Sequence, residues 1–206
     1  MSTQLEALKE QMSTCGSCDL CHGRTQVVFG EGHNSPLIMI IGEAPGEQED
    51  KLGVPFIGPA GDKLNSILKY LELERKDIYI TNSVLCRPPG NRNPTQTELE
   101  ACHWRLDLQI QLLKPKLVVL LGKIALQQLT GKPVKGALNQ YFYDKLKDHD
   151  DGFLTYKVGD HETKVIVSYH PSYHLRSPEI AYRATLPHWQ KIKKWIDDNK
   201  NTSQDS

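Results

Sequence analysis

Long apolar runs are missing from this 206-residue chain, and no window approaches the ~18 consecutive apolar residues of a membrane span. A helical membrane protein is excluded and no membrane partner is expected. Net charge is missing too, because 25 Lys+Arg stand against 25 Asp+Glu. That excludes a bulk polycation coating nucleic acid, but leaves room for a basic groove balanced by acidic faces elsewhere. The opening MSTQLEALKEQM is polar and helical in character, without the apolar stretch and small residues of a secretory signal, so a cytoplasmic location is the default. Cysteine is scarce: five residues, an odd number, make a disulfide framework a poor reading in a chain this long. Metal or cluster ligation is the leading hypothesis for them.

What is present has a clear order. Four short apolar, β-branched runs, Pro36 to Gly42, Ile78 to Val84, Leu117 to Gly122 and Val165 to Tyr169, read as buried strands. Helical patterns lie between them, at Gly61 to Leu73, Thr95 to Leu113 and Lys123 to Leu129. The second opens on a capping box, Thr95 with Glu98. Strand alternating with helix predicts an α/β fold with a parallel sheet. A last helix is expected from about Glu179 to Asp198. The chain thus reads as a single domain over 1–198, expected to be a monomer, with a polar tail at 199–206. Residues 139–164 differ in composition and read as an insertion built on a hairpin around Asp151-Gly152.

Cys15, Cys18 and Cys21 lie in CGSCDLC, followed by Cys86 just beyond a strand and Cys102 in the capped helix. A CxxC turn puts two thiolates on one side, and Cys86 and Cys102 would complete a four-thiolate site with Cys21 left over. Spacing alone separates neither zinc from an iron–sulfur cluster nor either from buried apolar cysteines.

In a parallel sheet, ligands bind beyond the carboxyl ends of the strands. After the first strand comes GEAPGEQED, then GVPFIGPAG opening a helix, where Gly42, Gly46, Gly58 and Gly61 allow close backbone approach. Phe56 is either a stacking platform or a core plug. Asn82, polar near the end of an apolar strand, has the donors and acceptor to read a pyrimidine edge or is satisfied by backbone. His170, in HPSYHLR after the last strand, falls at the same sheet edge as Glu43 and Asn82. Ser172 and Arg176 suit phosphate, and Leu175 suits an apolar wedge.

Together, CGSCDLCHGRTQVVFGEG, GEAPGEQED, GVPFIGPAG, TNSVLCRPPGNRNP and HPSYHLR resemble the family 4 uracil-DNA glycosylases, over most of residues 15–176. The resemblance implies a uracil-DNA glycosylase fold, a central four-stranded parallel sheet flanked by helices, and a [4Fe-4S] cluster on Cys15, Cys18, Cys86 and Cys102. It implies a uracil pocket of Gly42, Glu43, Ala44, Phe56, Asn82 and His170, and uracil-containing DNA as the partner. Two departures are His174, where the family commonly has leucine, and the 139–164 insertion. No arginine-rich, histidine-bearing loop of the related crosslinking enzymes is seen, so covalent capture of DNA is not expected.

The implied chemistry is uracil flipped out of single- or double-stranded DNA and cleaved at N1–C1′. His170 would donate near O2, and Glu43 in first place or Glu47 in second would handle the water or the sugar cation. The cluster would be structural, placing RPPGNRNP for DNA backbone contact. Two other readings stand beside this: a noncatalytic iron–sulfur DNA-binding or electron-transfer module, and a glycosylase for other deaminated bases such as hypoxanthine or xanthine.

Overall fold

A computed structural model describes residues 3–134, 138 and 152–201. Its strands are β1 (Glu31–Gly32), β2 (Ile38–Gly42), β3 (Tyr79–Asn82), β4 (Leu117–Leu121), β5 (Leu154–Val158) and β6 (His161–Ser168). They form one six-stranded sheet in the order β1-β3-β2-β4-β6-β5. The four expected strands, β3-β2-β4-β6, pair in parallel, and β1 and β5 add short antiparallel edges. Every residue of β2, β3 and β4 is buried, which is why these strands read as continuous apolar runs instead of alternating ones.

The helices are α1 (Thr3–Ser13), α2 (Glu47–Leu52), α3 (Pro59–Tyr70), α4 (Gln96–Leu113), α5 (Lys123–Thr130), α6 (Ser172–Arg176) and α7 (Pro178–Asn201). Thr95 caps α4 as its sequence predicts: its hydroxyl accepts from Glu98 N–H at 3.3 Å, and the Glu98 carboxylate takes the Thr95 N–H at 2.7 Å. Among the described residues no helix is long and apolar enough to cross a membrane.

The hairpin is placed differently from expectation. Its turn is Gly159-Asp160, because Val158 pairs with His161 and leaves those two residues as the loop, with Gly159 at φ 56. A two-residue loop with glycine first matches the twist of the strands it joins, and β6 starts earlier than its apolar stretch because its outer half pairs only with β5 and the chain before β4. Asp151 and the rest of 139–151, half of the expected insertion, lie outside the described residues, as do 202–206 of the expected tail. HPSYHLR is not only a loop, since its latter part winds into α6.

The chain goes from β2 to β3 on one side, then crosses to β4 on the other, so the strand order reverses at β2. A crevice is expected beyond the carboxyl ends at such a switch point. The tips of β2, β3 and β6 carry Gly42, Asn82 and the segment leading to His170.

Candidate active site

Gly42 and Asn82 are register partners on neighbouring parallel strands. A methyl group on Gly42 would overlap both the Asn82 amide oxygen and the Phe56 ring. The missing side chain is therefore what lets a flat ring and an amide share one spot. Phe56 and His170 complete the grouping, their ring centroids 5.7 Å apart and their planes tilted by 33°. On the far side, Gly122 at φ 93 follows β4, and a Cβ there would come within 3.3 Å of the His170 Cβ.

Asn82 is 1% exposed, and its Oδ1 has no hydrogen-bond partner. A buried acceptor without a donor costs about 1–3 kcal/mol, which makes it a place where a ligand N–H belongs.

Phe56 is buried and sits at φ 54, the left-handed region that a bulky residue avoids. It is held there from outside. Arg75 donates to the carbonyl oxygens of Phe56 at 3.1 Å and Pro55 at 2.6 Å, and is itself anchored on Glu31 at 2.7 Å. Gly61 lies so close over the Phe56 carbonyl that no side chain fits. Glu49 secures the same loop: its carboxylate accepts from the N–H groups of Gly46, Ile57 and Gly58 at 3.1, 3.0 and 2.9 Å. Sequence reading missed both Arg75 and Glu49. The signal for Glu49 was its place three residues after Gly46, the reach of a capping carboxylate.

His170 keeps part of its surface open, yet protein packs round it closely enough to pull its pKa down to about 4; burial is the main cause, Arg176 adds to it and Glu49 opposes. Its Nδ1 is 2.9 Å from the Ser172 hydroxyl and accepts the Ser172 backbone N–H at 3.3 Å. An acceptor at Nδ1 puts the proton of the neutral ring on Nε2. Ser172, expected at phosphate, is thus engaged with His170.

The two acids separate. Glu43, half-buried beyond β2, has a carboxyl raised above its usual value by burial, with Arg176 opposing. Glu47 is exposed on α2, paired with Lys51 at 2.6 Å and Arg87 at 3.5 Å, and its carboxyl is lowered chiefly by the Lys51 hydrogen bond. Glu43 lies within the field of Arg176, which also acts on His170, whereas Glu47 lies in solvent. Ala44 follows Glu43 as a half-buried residue packed on the core. On α6, Leu175 is 51% exposed and Arg176 is exposed, while His174 is buried and meets the Thr185 hydroxyl at 3.1 Å. The departure from leucine at His174 therefore ties α6 to α7 and leaves Leu175 open.

Cys86 and Cys102 are buried, Cys15 and Cys18 half-buried. The thiols sense each other: Cys18 is raised by burial first, then by Cys102 and Cys15, and Cys86 is pushed up to about 11 by burial, with Cys102 and Cys18 adding. Arg24 brings a guanidinium to the Cys86 sulfur at 3.2 Å. No three His, Cys, Asp or Glu side chains among the described residues are close enough to hold a single metal ion. Four thiols within one another's field, with a cation against them, are the donor set that an all-thiolate site needs. Cys21, half-buried in the turn Asp19–His22, stands outside this group. In RPPGNRNP, Arg92 is paired with Glu98 at 2.6 Å and Arg87 with Asn91 at 2.7 Å.

A strand-order reversal that gathers a glycine, a pinned aromatic ring, a buried amide and a histidine at one sheet edge is the arrangement of an α/β enzyme with its site at the strand ends. The family model described as the Uracil DNA glycosylase superfamily matches residues 29–195, and the chain belongs to that superfamily, among its type-4 members. It is 40% identical over 195 residues to the Type-4 uracil-DNA glycosylase of Thermotoga maritima, covering 93% of this chain and 94% of that one. It is 40% identical over 177 residues to the Type-4 uracil-DNA glycosylase of Sulfurisphaera tokodaii, covering 85% and 78%. A Type-5 uracil-DNA glycosylase of Thermus thermophilus is 34% identical over 117 residues, 50% of this chain and 53% of that one.

Proposed function

We propose that this chain is a uracil-DNA glycosylase of DNA repair, which takes uracil flipped out of single- or double-stranded DNA and hydrolyses its N-glycosidic bond, leaving an abasic site. The observation that carries the reading is the buried, partnerless Oδ1 of Asn82 beside the Phe56 ring. Uracil offers N3–H to that acceptor and O4 to the amide N–H, whereas cytosine presents an acceptor at N3 and a donor at N4. The same amide is thus matched to one base and mismatched to the other. Phe56 stacks on the base, and the backbone of Gly42, Glu43 and Ala44 lines its edge.

As N1–C1′ breaks, negative charge gathers on the uracil O2 and positive character on the sugar. His170, neutral with its proton on Nε2, donates to O2, a fixed hydrogen bond of the type worth ~3–4 kcal/mol in a water-poor site. Glu43 orients the water that attacks C1′. Leu175 and Arg176 face the DNA, as a wedge and a phosphate contact. Cys15, Cys18, Cys86 and Cys102 would hold a [4Fe-4S] cluster, which would supply a structural cross-link from the N-terminal loop to Cys86 beyond β3 and Cys102 on α4. The protein works as a cytoplasmic monomer.

The test is alkali-labile cleavage of a uracil-containing oligonucleotide beside a thymine control, with purified brown protein and no added metal or nucleotide. Asn82→Asp lowers uracil excision or relaxes it toward cytosine. Unchanged rates on both bases sink the pocket assignment, and colourless protein with zinc at full occupancy sinks the cluster.

A further inference from the structure

Arg105 is fully buried on α4 and makes no ion pair with a carboxylate among the described residues. Its Nη2 donates to the carbonyl oxygens of Asn82 at 3.0 Å and Ser83 at 2.7 Å. Its Nη1 donates to Gln109 Oε1 at 2.8 Å and reaches the Thr81 hydroxyl at 3.5 Å. The Nε–H has no partner. Gln109 in turn donates to the Phe29 carbonyl at 3.0 Å and the Tyr79 hydroxyl at 3.2 Å, so the guanidinium is locked from behind.

A buried cation whose oxygen partners are all neutral is costly, and a nearby anion is needed to offset it. Burial pulls the guanidinium's pKa down, and Cys102, through its charge and a side-chain hydrogen bond, then Tyr79 and Cys86 work against that. Position explains the pairing. Arg105 follows Cys102 by three residues, which stacks the two on one face of α4, and Asn82 precedes Cys86 by four residues along the segment leaving β3. The guanidinium therefore sits between the thiols that close the proposed cluster site and the strand tip that carries the base-reading amide.

We propose that Arg105 is a positioning residue shared by both sites: its charge faces the thiolates of Cys102 and Cys86, and its Nη2 holds the tip of β3 so that Asn82 meets the base. This inference rests on the function proposed above. Thiolates in the cluster site supply the counter-charge that keeps the guanidinium in place. The guanidinium in turn keeps the Asn82 and Ser83 carbonyls, and with them the amide, in register with Gly42, whose own carbonyl is held by the Ser83 hydroxyl at 2.7 Å.

The experiment uses the full-length protein as purified, with Arg105→Met and Arg105→Lys, each checked for folding by circular dichroism. The first readout is independent of activity: iron content, and the rate at which the visible absorbance bleaches in an iron chelator. Substitutions beside metal ligands commonly cost 10–100-fold, so Arg105→Met is expected to bleach about tenfold faster, with Arg105→Lys, which keeps the charge, closer to wild type. The second readout is single-turnover uracil excision in a double-mutant cycle. Arg105→Lys loses the two-carbonyl grip and is expected to slow excision about tenfold with Asn82 present, but to cost nothing further in the Asn82→Ala background.

Wild-type bleaching in both variants overturns the proposal, and so does an equal cost of Arg105→Lys in the two backgrounds. If Arg105→Met fails to fold, Arg105→Lys and its cycle decide alone. Wild-type protein that lacks iron or leaves uracil in place refutes the proposed function itself; wild type that is brown and active while the cycle is additive refutes only the role of Arg105.

Discussion

The two walls of the crevice are built by different means. The wall of Gly42, Phe56 and Asn82 is held by side chains from distant parts of the chain: Arg75 on Phe56, Glu49 on the loop of Ile57 and Gly58, and Arg105 on Asn82. The wall of His170 is held mostly by bonds within a few residues, Ser172 to His170, Tyr173 N–H to the His170 carbonyl and His174 N–H to that of Pro171. His174 with Thr185, Ser168 with His188 and the Tyr169 ring stacked on that of His188 tie it to α7. The proposed base-reading groups are thus cemented into the core, while the proposed catalytic donor sits two residues ahead of a short helix that carries an exposed Leu175. A pocket that must reject the wrong base needs fixed atoms, whereas a segment that must meet DNA gains from being locally built.

The strongest way to break this comparison is His170→Leu. Loss of the Nε2 donor is expected to lower kcat by roughly 10²–10³ with little change in substrate affinity, read by single-turnover release of uracil. A loss of less than tenfold would put the donor on the other wall. The same variant has a stability signature. Above the ordinary histidine pKa of 6.5 the ring is neutral folded and unfolded, so it contributes no pH dependence. Between 6.5 and about 4 the unfolded chain takes up a proton that the folded protein refuses, so stability falls with pH over that window. The full drop from this group is about 3 kcal/mol, and urea titrations at several pH values should show His170→Leu missing it. His188, also pulled down to about 4 by burial with Lys191 adding, continues to act in the variant, so the acid dependence is reduced and not abolished.

How much of each wall was legible follows from the same contrast. The parallel sheet was plain because its strands are buried on both faces and therefore continuous in apolar sequence, and α4 was plain because Thr95 and Glu98 cap it locally. The grouping of Gly42, Phe56, Asn82 and His170 at one sheet edge was anticipated from strand ends and from family resemblance, and the structure brings them together. The supports of the first wall were not legible. Arg75 and Arg105 act on carbonyls 19 to 23 residues away, a relation that leaves no local pattern. Glu47 and Glu49 both sit in one acidic run, and only burial separates the exposed one from the clamp. The turn at Gly159-Asp160 was missed because Asp151-Gly152 carries the same type of signal, and pairing register chose between them.

Glu49→Gln sharpens the comparison from the other side. Three backbone N–H groups bond a charged carboxylate, and hydrogen bonds to charged groups are worth ~1.5–3 kcal/mol each, so exchanging carboxylate for amide should cost about 2–3 kcal/mol of stability. The urea midpoint falls at unchanged slope, and uracil discrimination weakens as Phe56 is released. Glu47→Gln, two residues away and solvent-exposed, is expected to match wild type in both measurements. Equal effects at the two positions would mean that the loop is not clamped as described.

Ser172→Ala has the smallest expected effect, because the backbone N–H of residue 172 still donates to His170 Nδ1 at 3.3 Å when the hydroxyl is gone. One neutral hydrogen bond is worth about 1 kcal/mol, so kcat should fall about three- to tenfold. The pattern of the loss decides what the hydroxyl does. If it orients His170, kcat falls while KM stays, and the imidazole nitrogen shifts in NMR still report the proton on Nε2 with a broader Nδ1 environment. If it contacts a phosphate, KM rises and kcat stays, with a weaker salt dependence only where a charged partner such as Arg176 is lost as well. The 2.9 Å separation of the hydroxyl from Nδ1 favours the first outcome. A hundredfold loss would give this residue a part in the chemistry itself, and the local build of the second wall would then be a requirement of the reaction and not of DNA approach.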